Sequence, residues 1–226
     1  DVYKRQEIQT IQSAMAGVKR IDAFLDKPER TIPKERETSA RGDVVLSHVT
    51  FGYGEKRVLN DFSMTVKQGE QVTLVGRTGA GKSTVFKLLL GLYHPEAGGV
   101  DVVDITDAGR RTCIGCVEQH FARVPGTVLE QITLGDPGIT EEMARNAAKL
   151  AGMDAAIQTL PGGYDTVCTD GMFSQGEWQL LSIARAAAAD PAVLLLDEIT
   201  ANLDAETEAR VLEALRRASE GRTVLS

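Results

Sequence analysis

One eight-residue segment constrains the possible folds of this chain more than any other feature of its sequence. It reads Gly76-Arg77-Thr78-Gly79-Ala80-Gly81-Lys82-Ser83 and fits the pattern G-x-x-x-x-G-K-[ST] at every fixed position. A β-rich run, Gln71–Val75, precedes it, and helical apolar spacing over Ser83–Leu92 follows it. Glycines let a backbone curl so that successive N–H groups face an anion, and the next helix N-terminus adds partial positive charge. This context predicts a phosphate-binding loop, rather than a glycine-rich turn with an exposed lysine.

Two side chains at the end of the loop suit the chemistry of a nucleoside triphosphate. Lys82 supplies a full positive charge for the β- and γ-phosphates, and Ser83 offers a hydroxyl to Mg²⁺. The expected ligands are therefore a nucleoside triphosphate and Mg²⁺.

A second group of residues places two carboxylates at the end of an apolar strand. The run Val193–Leu196 is followed directly by Asp197 and Glu198. Ionised carboxylates are costly in a protein core unless they are paired or bound to a metal. At the carboxyl edge of a strand, Asp197 can reach Mg²⁺ and its waters, and Glu198 can act as a general base on an attacking water. The competing interpretation is an apolar strand that leaves the core through two acids.

Composition excludes several classes of protein. No apolar run approaches the roughly 20 residues of a membrane-spanning helix. The 25 basic and 32 acidic residues give a net charge of −7, which argues against a general nucleic-acid binder. Three cysteines, an odd number, favour a reducing cytoplasmic setting over a disulfide scaffold. Cys113 and Cys116 invite a redox or zinc interpretation, but residues three apart in a strand face opposite sides, which favours an ordinary structural role.

The pattern along the chain predicts three parts. An apolar stripe over Glu7–Leu25 predicts one helix, and the charged segment 27–43 reads as a linker. From Val44 onward, strands and helices alternate, which indicates an α/β core. The remaining predicted helices are Glu141–Ala151, Glu177–Ala189 and Ala205–Ala218.

These motifs and the segment between them resemble the nucleotide-binding domain of an ABC transporter, from about Val44 to the end of the chain. The resemblance implies a P-loop NTPase core with an antiparallel β subdomain and a helical subdomain that carries a signature motif. It also implies that the whole loop and Thr84 bind the nucleotide. By the same resemblance, Tyr53 stacks on adenine, Gln119 contacts Mg²⁺ or the attacking water, and Asp204 belongs to a loop at a dimer interface.

The segment Phe173-Ser174-Gln175-Gly176-Glu177 resembles the family signature Leu-Ser-Gly-Gly-Gln. Ser174 and Gly176 match, whereas Gln175 and Glu177 depart from the pattern. In the family, this loop caps the γ-phosphate of ATP held by the opposite subunit. A negative charge at Glu177 implies a weakened signature, and together with an intact Glu198 it implies a heterodimer with unequal sites.

The resemblance also implies how the chain is organised and where it works. Residues 1–26 resemble the end of a membrane-domain helix, of which 1–6 are interpreted as an artefact of a sequencing adapter. Residues 44–226 are expected to be an ATP-binding domain truncated before the family's switch histidine. The implied partners are a second nucleotide-binding domain and a fused or associated transmembrane domain, with no nucleic acid. The implied location is the cytoplasmic face of the cell (inner) membrane.

The implied activity is ATP hydrolysis that powers export, carried out by one half of an exporter. Two other functions fit the same motifs. One is a soluble ABC-type ATPase in translation or DNA repair, against which the acidic balance and the N-terminal helix weigh. The other is a switch in which ATP binding alone matters and no hydrolysis follows.

Overall fold

A computed structural model describes residues 14–23, 25–26, 43–77, 79–102, 113–118, 121–197 and 203–226. Its helices are α1 (residues 14–23), α2 (Lys82–Leu89), α3 (Val128–Thr133), α4 (Glu141–Leu150), α5 (Asp154–Gln158), α6 (Gln175–Ala187) and α7 (Ala205–Ser219). Its strands are β1 (Val44–Tyr53), β2 (Lys56–Val66), β3 (Gln71–Val72), β4 (Ala97–Val102), β5 (Ile114–Val117), β6 (Val193–Leu196) and β7 (Thr223–Leu225). The alternation of strands and helices confirms the predicted α/β class.

The chain divides into two units, residues 1–33 and 34–226. In the first unit, α1 confirms the helical spacing over the part that the structure describes. Its apolar side chains stay exposed: Met15, Val18, Ile21 and Leu25. The predicted first turns of this helix and nearly all of the predicted linker lie outside the described residues. Among the described helices, none combines the length and the apolar character that crossing a bilayer requires.

The second unit contains an antiparallel sheet of three strands in the order β2-β1-β4. The pairing of β1 with β2 has register shifts after Leu46, Val49 and Phe51. At the first shift, the backbone N–H of His48 donates to the Ser63 hydroxyl at 2.9 Å, so a side chain replaces a missing ladder bond. This sheet is the antiparallel β subdomain that the sequence resemblance implies.

A second, parallel sheet has the strand order β3-β7-β6-β5. Cross-strand partners such as Val117 with Leu196, and Val72 with Leu225, set its register. Because all four strands run in the same direction, their carboxyl ends meet at one edge. Open α/β sheets bind ligands in the crevice at that edge.

Strand β3 is shorter than its sequence predicts. It pairs with β7 only at Gln71 and Val72, and its last bond to that side joins Leu74 N–H to the carbonyl of Ser226. The described residues that follow Val72 have no strand assignment before the phosphate loop, and Val75 is 92% exposed.

Two apolar cores hold the second unit together. One lies under the antiparallel sheet and includes the buried face of α2, with Val85, Leu88 and Leu89. The other surrounds α6, whose Leu180, Leu181 and Ile183 are buried among the helices of the second half. This arrangement matches the predicted helical subdomain that carries the signature segment.

Candidate functional site

The predicted phosphate loop curls as its glycines allow. Gly79 and Gly81 adopt positive φ angles of 82° and 98°, which side chains with a Cβ rarely tolerate. The N–H of Ala80 donates to the carbonyl of Arg77 at 3.0 Å, which closes a turn inside the loop. The ammonium of Lys82 donates to the carbonyl of Gly76 at 2.9 Å. The Lys82 side chain therefore links the last part of the loop to its first residue.

The loop ends in a helix N-terminus that carries no side-chain cap. Gly81 is the residue before α2, and neither a capping side chain nor an acidic residue lies in the first turn. N-terminal N–H groups of a helix have no intrahelical partner, and they favour a bound anion. Lys82 is half-buried and Ser83 is exposed at this terminus, whereas Thr84 is buried. The geometry fits phosphate oxygens at the start of α2.

Gly81 also holds the loop against the antiparallel sheet. A Cβ at this position would lie 2.9 Å from Leu59 Cδ2 and 3.2 Å from Val58 Cγ1. A larger residue would therefore require the Leu59 side chain to shift, in addition to adopting the φ angle of 98° that residues other than glycine rarely adopt.

Asp197 lies at the carboxyl edge of the parallel sheet, as predicted. Its N–H donates to the carbonyl of Val117 at 3.0 Å, so the acid is held beside the end of β5. Its side chain is half-buried. Glu198, Gln119 and Thr78 lie outside the described residues, so their predicted roles stay predictions.

Tyr53 ends β1 near the start of α2. Its hydroxyl lies 3.4 Å from the Thr84 hydroxyl, and its side chain is 39% exposed. The Lys87 ammonium lies 5.8 Å from the centre of its ring. Tyr53 thus joins β1 to the helix that follows the phosphate loop, and part of it is open to a ligand.

The signature segment opens α6 with a capping box that the sequence analysis missed. The Glu177 N–H donates to the Ser174 hydroxyl at 3.3 Å. In return, the Glu177 carboxylate accepts from the Ser174 N–H at 2.8 Å and from its hydroxyl at 2.9 Å. Helix α6 therefore begins at Gln175, two residues before its predicted start. The departure at Glu177 places a carboxylate on the N–H and hydroxyl donors of Ser174.

Gly176 brings the N-termini of α6 and α7 together. A Cβ at this glycine would lie 2.0 Å from Thr207 Cγ2, in the first turn of α7. Asp204 caps the same turn by accepting from the Thr207 N–H at 3.0 Å. Bonds from the Thr207 hydroxyl and N–H lower the pKa of Asp204. Gly176 therefore lets the predicted signature segment pack closely against the helix turn that Asp204, the predicted dimer-interface acid, caps.

A Gly176→Ala substitution should destabilise the fold by about 1–3 kcal/mol, because the new methyl overlaps Thr207. The Gly176→Ala/Thr207→Ser double variant removes the methyl that is in the way and keeps the hydroxyl. It should recover most of the loss in chemical denaturation. If the double variant is as unstable as the single one, the contact between α6 and α7 is not what requires the glycine.

The surroundings of Cys116 are poorly suited to redox chemistry or metal binding. Burial, together with Glu118 and Asp197, raises the pKa of the Cys116 thiol to about 12. A thiol with that pKa stays protonated at neutral pH and is a poor nucleophile and metal ligand. No group of three or more metal-binding side chains occurs in the described part of the chain.

The described side chains fit a nucleotide with a magnesium ion. The loop offers N–H groups and an ammonium to phosphates, while Ser83 and Asp197 offer the oxygen ligands that Mg²⁺ prefers. Two protein ligands are few for an all-protein cage, but Mg²⁺ usually keeps several waters and takes phosphate oxygens as well.

Comparisons with known proteins agree with this geometry. A family model described as "ABC transporter" matches residues 59–201. The ABC transporter ATP-binding protein YfiC of Bacillus subtilis is 39% identical across 96% of this chain, which covers 38% of that relative. A fatty acid ABC transporter ATP-binding/permease protein of Mycobacterium bovis is 38% identical across 94% of this chain and 35% of its own length.

A solved structure supports the same fold. The chain matches a bacterial Atm1-family ABC exporter with ATP bound, with a TM-score of 0.76 and 31% identity. The match covers 97% of this chain and 40% of that one. The chain thus spans about two fifths of the length of these relatives.

Proposed function

The chain belongs to the ABC transporter family, and from that premise we propose that it binds and hydrolyses Mg·ATP as the nucleotide-binding domain of an exporter. The observation that carries the proposal is the loop closed by Lys82 on Gly76, which leads into an uncapped helix N-terminus. Titration of the 226-residue chain with Mg·ATP should produce heat and saturate. A flat titration would overturn the proposal.

Binding follows from the electrostatics of the loop. The Lys82 ammonium exchanges its bond to the Gly76 carbonyl for a charged phosphate oxygen, which is the stronger acceptor. The N–H groups at the start of α2 hold further phosphate oxygens, and Tyr53 provides a ring for the adenine to stack on. Ser83 and Asp197 would hold Mg²⁺, which would neutralise part of the charge on the phosphates.

Hydrolysis is assigned to Glu198 and Gln119. Glu198 follows Asp197 directly in the sequence, and Asp197 is the first residue after β6. There it accepts a proton from the attacking water as a general base, and Gln119 orients the same water. This assignment rests on the order of residues and on the family pattern.

The proposed partner is a second nucleotide-binding domain, which closes over the ATP. Each domain would then present its signature segment to the nucleotide of the other. Because Glu177 already occupies the donors of Ser174, we expect this chain to contribute the weaker signature within a heterodimer. Equal ATP turnover at the two sites of the full-length assembly would contradict this part of the proposal.

Glu177→Gln should strengthen the nucleotide site that this signature completes. The substitution removes a negative charge at a helix N-terminus, where a phosphate would compete for the same donors. Charges at such termini are worth about 0.3–1 kcal/mol, so we expect the ATP concentration for half-maximal hydrolysis to fall about twofold to fivefold in the full-length assembly.

The chain offers a matched control for that substitution. Thr127 and Glu130 form the same capping box at the start of α3. Glu130→Gln makes the same chemical change at a place with no proposed nucleotide, so the ATP dependence should not move. A fall of equal size in both variants, or no fall for Glu177→Gln, would contradict the competition.

The transport role extends to the protein from which the chain comes. Relatives described as ATP-binding/permease proteins carry both functions in one chain, and we propose a fused or associated transmembrane domain here, with this domain on the cytoplasmic face. When the full-length protein is reconstituted in inside-out vesicles, ATP added to the outside should be hydrolysed. Hydrolysis of ATP added to the opposite face would contradict the orientation.

A further inference from the structure

Three aromatic rings pack together beside the end of β1. Phe51 and Tyr53 are two residues apart on the strand, so they share one of its faces. Their ring centres lie 5.0 Å apart at an angle of 86°. Tyr93 packs against both, at 5.3 Å and 90° from Tyr53 and at 5.5 Å and 58° from Phe51. Edge-to-face contacts of this kind fix the relative tilt of rings.

The turn after α2 places Tyr93 in this cluster. The N–H of Gly91 donates to the carbonyl of Leu88 at 3.0 Å, and the N–H of Leu92 donates to that of Lys87 at 2.9 Å. With Gly91 at a φ of 68°, these bonds form a Schellman motif. The motif ends α2 and reverses the chain, so the residue that follows faces β1.

A second bond holds the other side of Tyr93. Three residues later, the N–H of Glu96 donates to the carbonyl of Thr50 on β1 at 2.8 Å. The backbone that carries Tyr93 is therefore anchored both to α2 and to β1. Its ring is held against Tyr53 by main-chain geometry rather than by apolar burial alone.

Both tyrosine rings remain partly open. Tyr53 is 39% exposed and Tyr93 is 41% exposed, whereas Phe51 beneath them is 5% exposed. An exposed tyrosine loses rotamer freedom when a ligand stacks on it, and that loss weakens binding. A neighbouring side chain that already restricts the tyrosine ring reduces this entropic cost of binding.

We propose that Tyr93 is a positioning residue for the nucleobase, which holds the Tyr53 ring at the tilt that a stacked purine needs. This rests on the proposed function, because it assumes that Tyr53 receives the adenine. Tyr93 does not itself touch the phosphates, which bind at the opposite end of α2. Its effect is therefore confined to ligands that carry a base.

The test compares Mg·ATP with magnesium tripolyphosphate, which has no base, on the 226-residue chain. Tyr93→Leu should weaken Mg·ATP about threefold to tenfold, the range expected for losing aromatic pair contacts, and should leave tripolyphosphate unchanged. Tyr93→Phe keeps the ring and should bind both ligands as the wild type does. Tyr93→Met serves as a second non-aromatic variant, and thermal unfolding identifies any variant that does not fold.

The outcomes separate this inference from the proposed function. If the wild type binds Mg·ATP, and Tyr93→Leu and Tyr93→Met bind it with the same affinity, the positioning role is overturned and the proposed function stands. Equal weakening of both ligands also overturns it, because it indicates damage to the loop. Failure of the wild type to bind Mg·ATP contradicts the proposed function itself.

Discussion

Lys82→Ala should abolish measurable binding of Mg·ATP at ordinary concentrations. Truncating one partner of a hydrogen-bonded charge pair costs about 2–5 kcal/mol, so the dissociation constant should rise roughly 30-fold to several thousand-fold. The variant also frees the Gly76 carbonyl, which now accepts from the ammonium at 2.9 Å. Calorimetric titration at fixed salt measures the change, since phosphate binding by a cation depends on ionic strength.

A matched lysine controls for the loss of charge. Lys149 is exposed in the last turn of α4, away from the phosphate loop, and Lys149→Ala should bind Mg·ATP with the wild-type affinity. Thermal unfolding of both variants checks that the loop is not simply unfolded. If Lys82→Ala titrates like the wild type, the loop does not grip a triphosphate, and the assignment of Ser83 and Asp197 loses its basis.

The sequence predicts the fold well where a strict pattern carries it. The phosphate-loop motif has fixed positions, and the structure gives physical reasons for two of them, namely the positive φ of Gly81 and the bond from Lys82 to the Gly76 carbonyl. The alternation of strands and helices is likewise confirmed. These features depend on local chemistry, and local chemistry is what a sequence displays directly.

Helix boundaries that are set by capping residues are harder to predict from the spacing of apolar residues. Helix α3 has six residues, too few for an apolar period, but Thr127 and Glu130 form the capping box that starts it. The same signal, Ser174 with Glu177, marks the true start of α6. Helix α2 ends before its predicted end at Leu92, because Gly91 adopts a positive φ. The capping residues therefore mark the starts of α3 and α6 and the end of α2 more accurately than apolar periodicity does.

Long-range contacts escape sequence reasoning altogether. Nothing in the local pattern says that Gly176 lies against Thr207, or that Tyr93 packs on Tyr53, since these pairs are 31 and 40 residues apart in the chain. Both depend on how α2 and α6 pack in three dimensions. The candidate site therefore gains its least predictable residues from packing rather than from motifs.

Glu198→Gln should separate nucleotide binding from hydrolysis in the full-length protein. Gln keeps the size of the side chain but cannot accept a proton from water, and general-base catalysis typically contributes about 10²–10⁴-fold. The turnover rate should fall by about that factor. The affinity for Mg·ATP should stay within about twofold, because the proposed binding groups are Lys82, Ser83 and the loop N–H groups.

That result also decides between hydrolysis and a switch that works by ATP binding alone. Glu142→Gln, in the exposed first turn of α4, makes the same change away from the sheet edge and should keep the wild-type turnover. If the wild type turns over ATP and Glu198→Gln does so equally fast, another group is the base. If the wild type binds ATP but shows no turnover beyond that of Glu198→Gln, binding alone drives the conformational change. A selective loss of turnover, with ATP still bound, is the outcome expected if Glu198 is the general base.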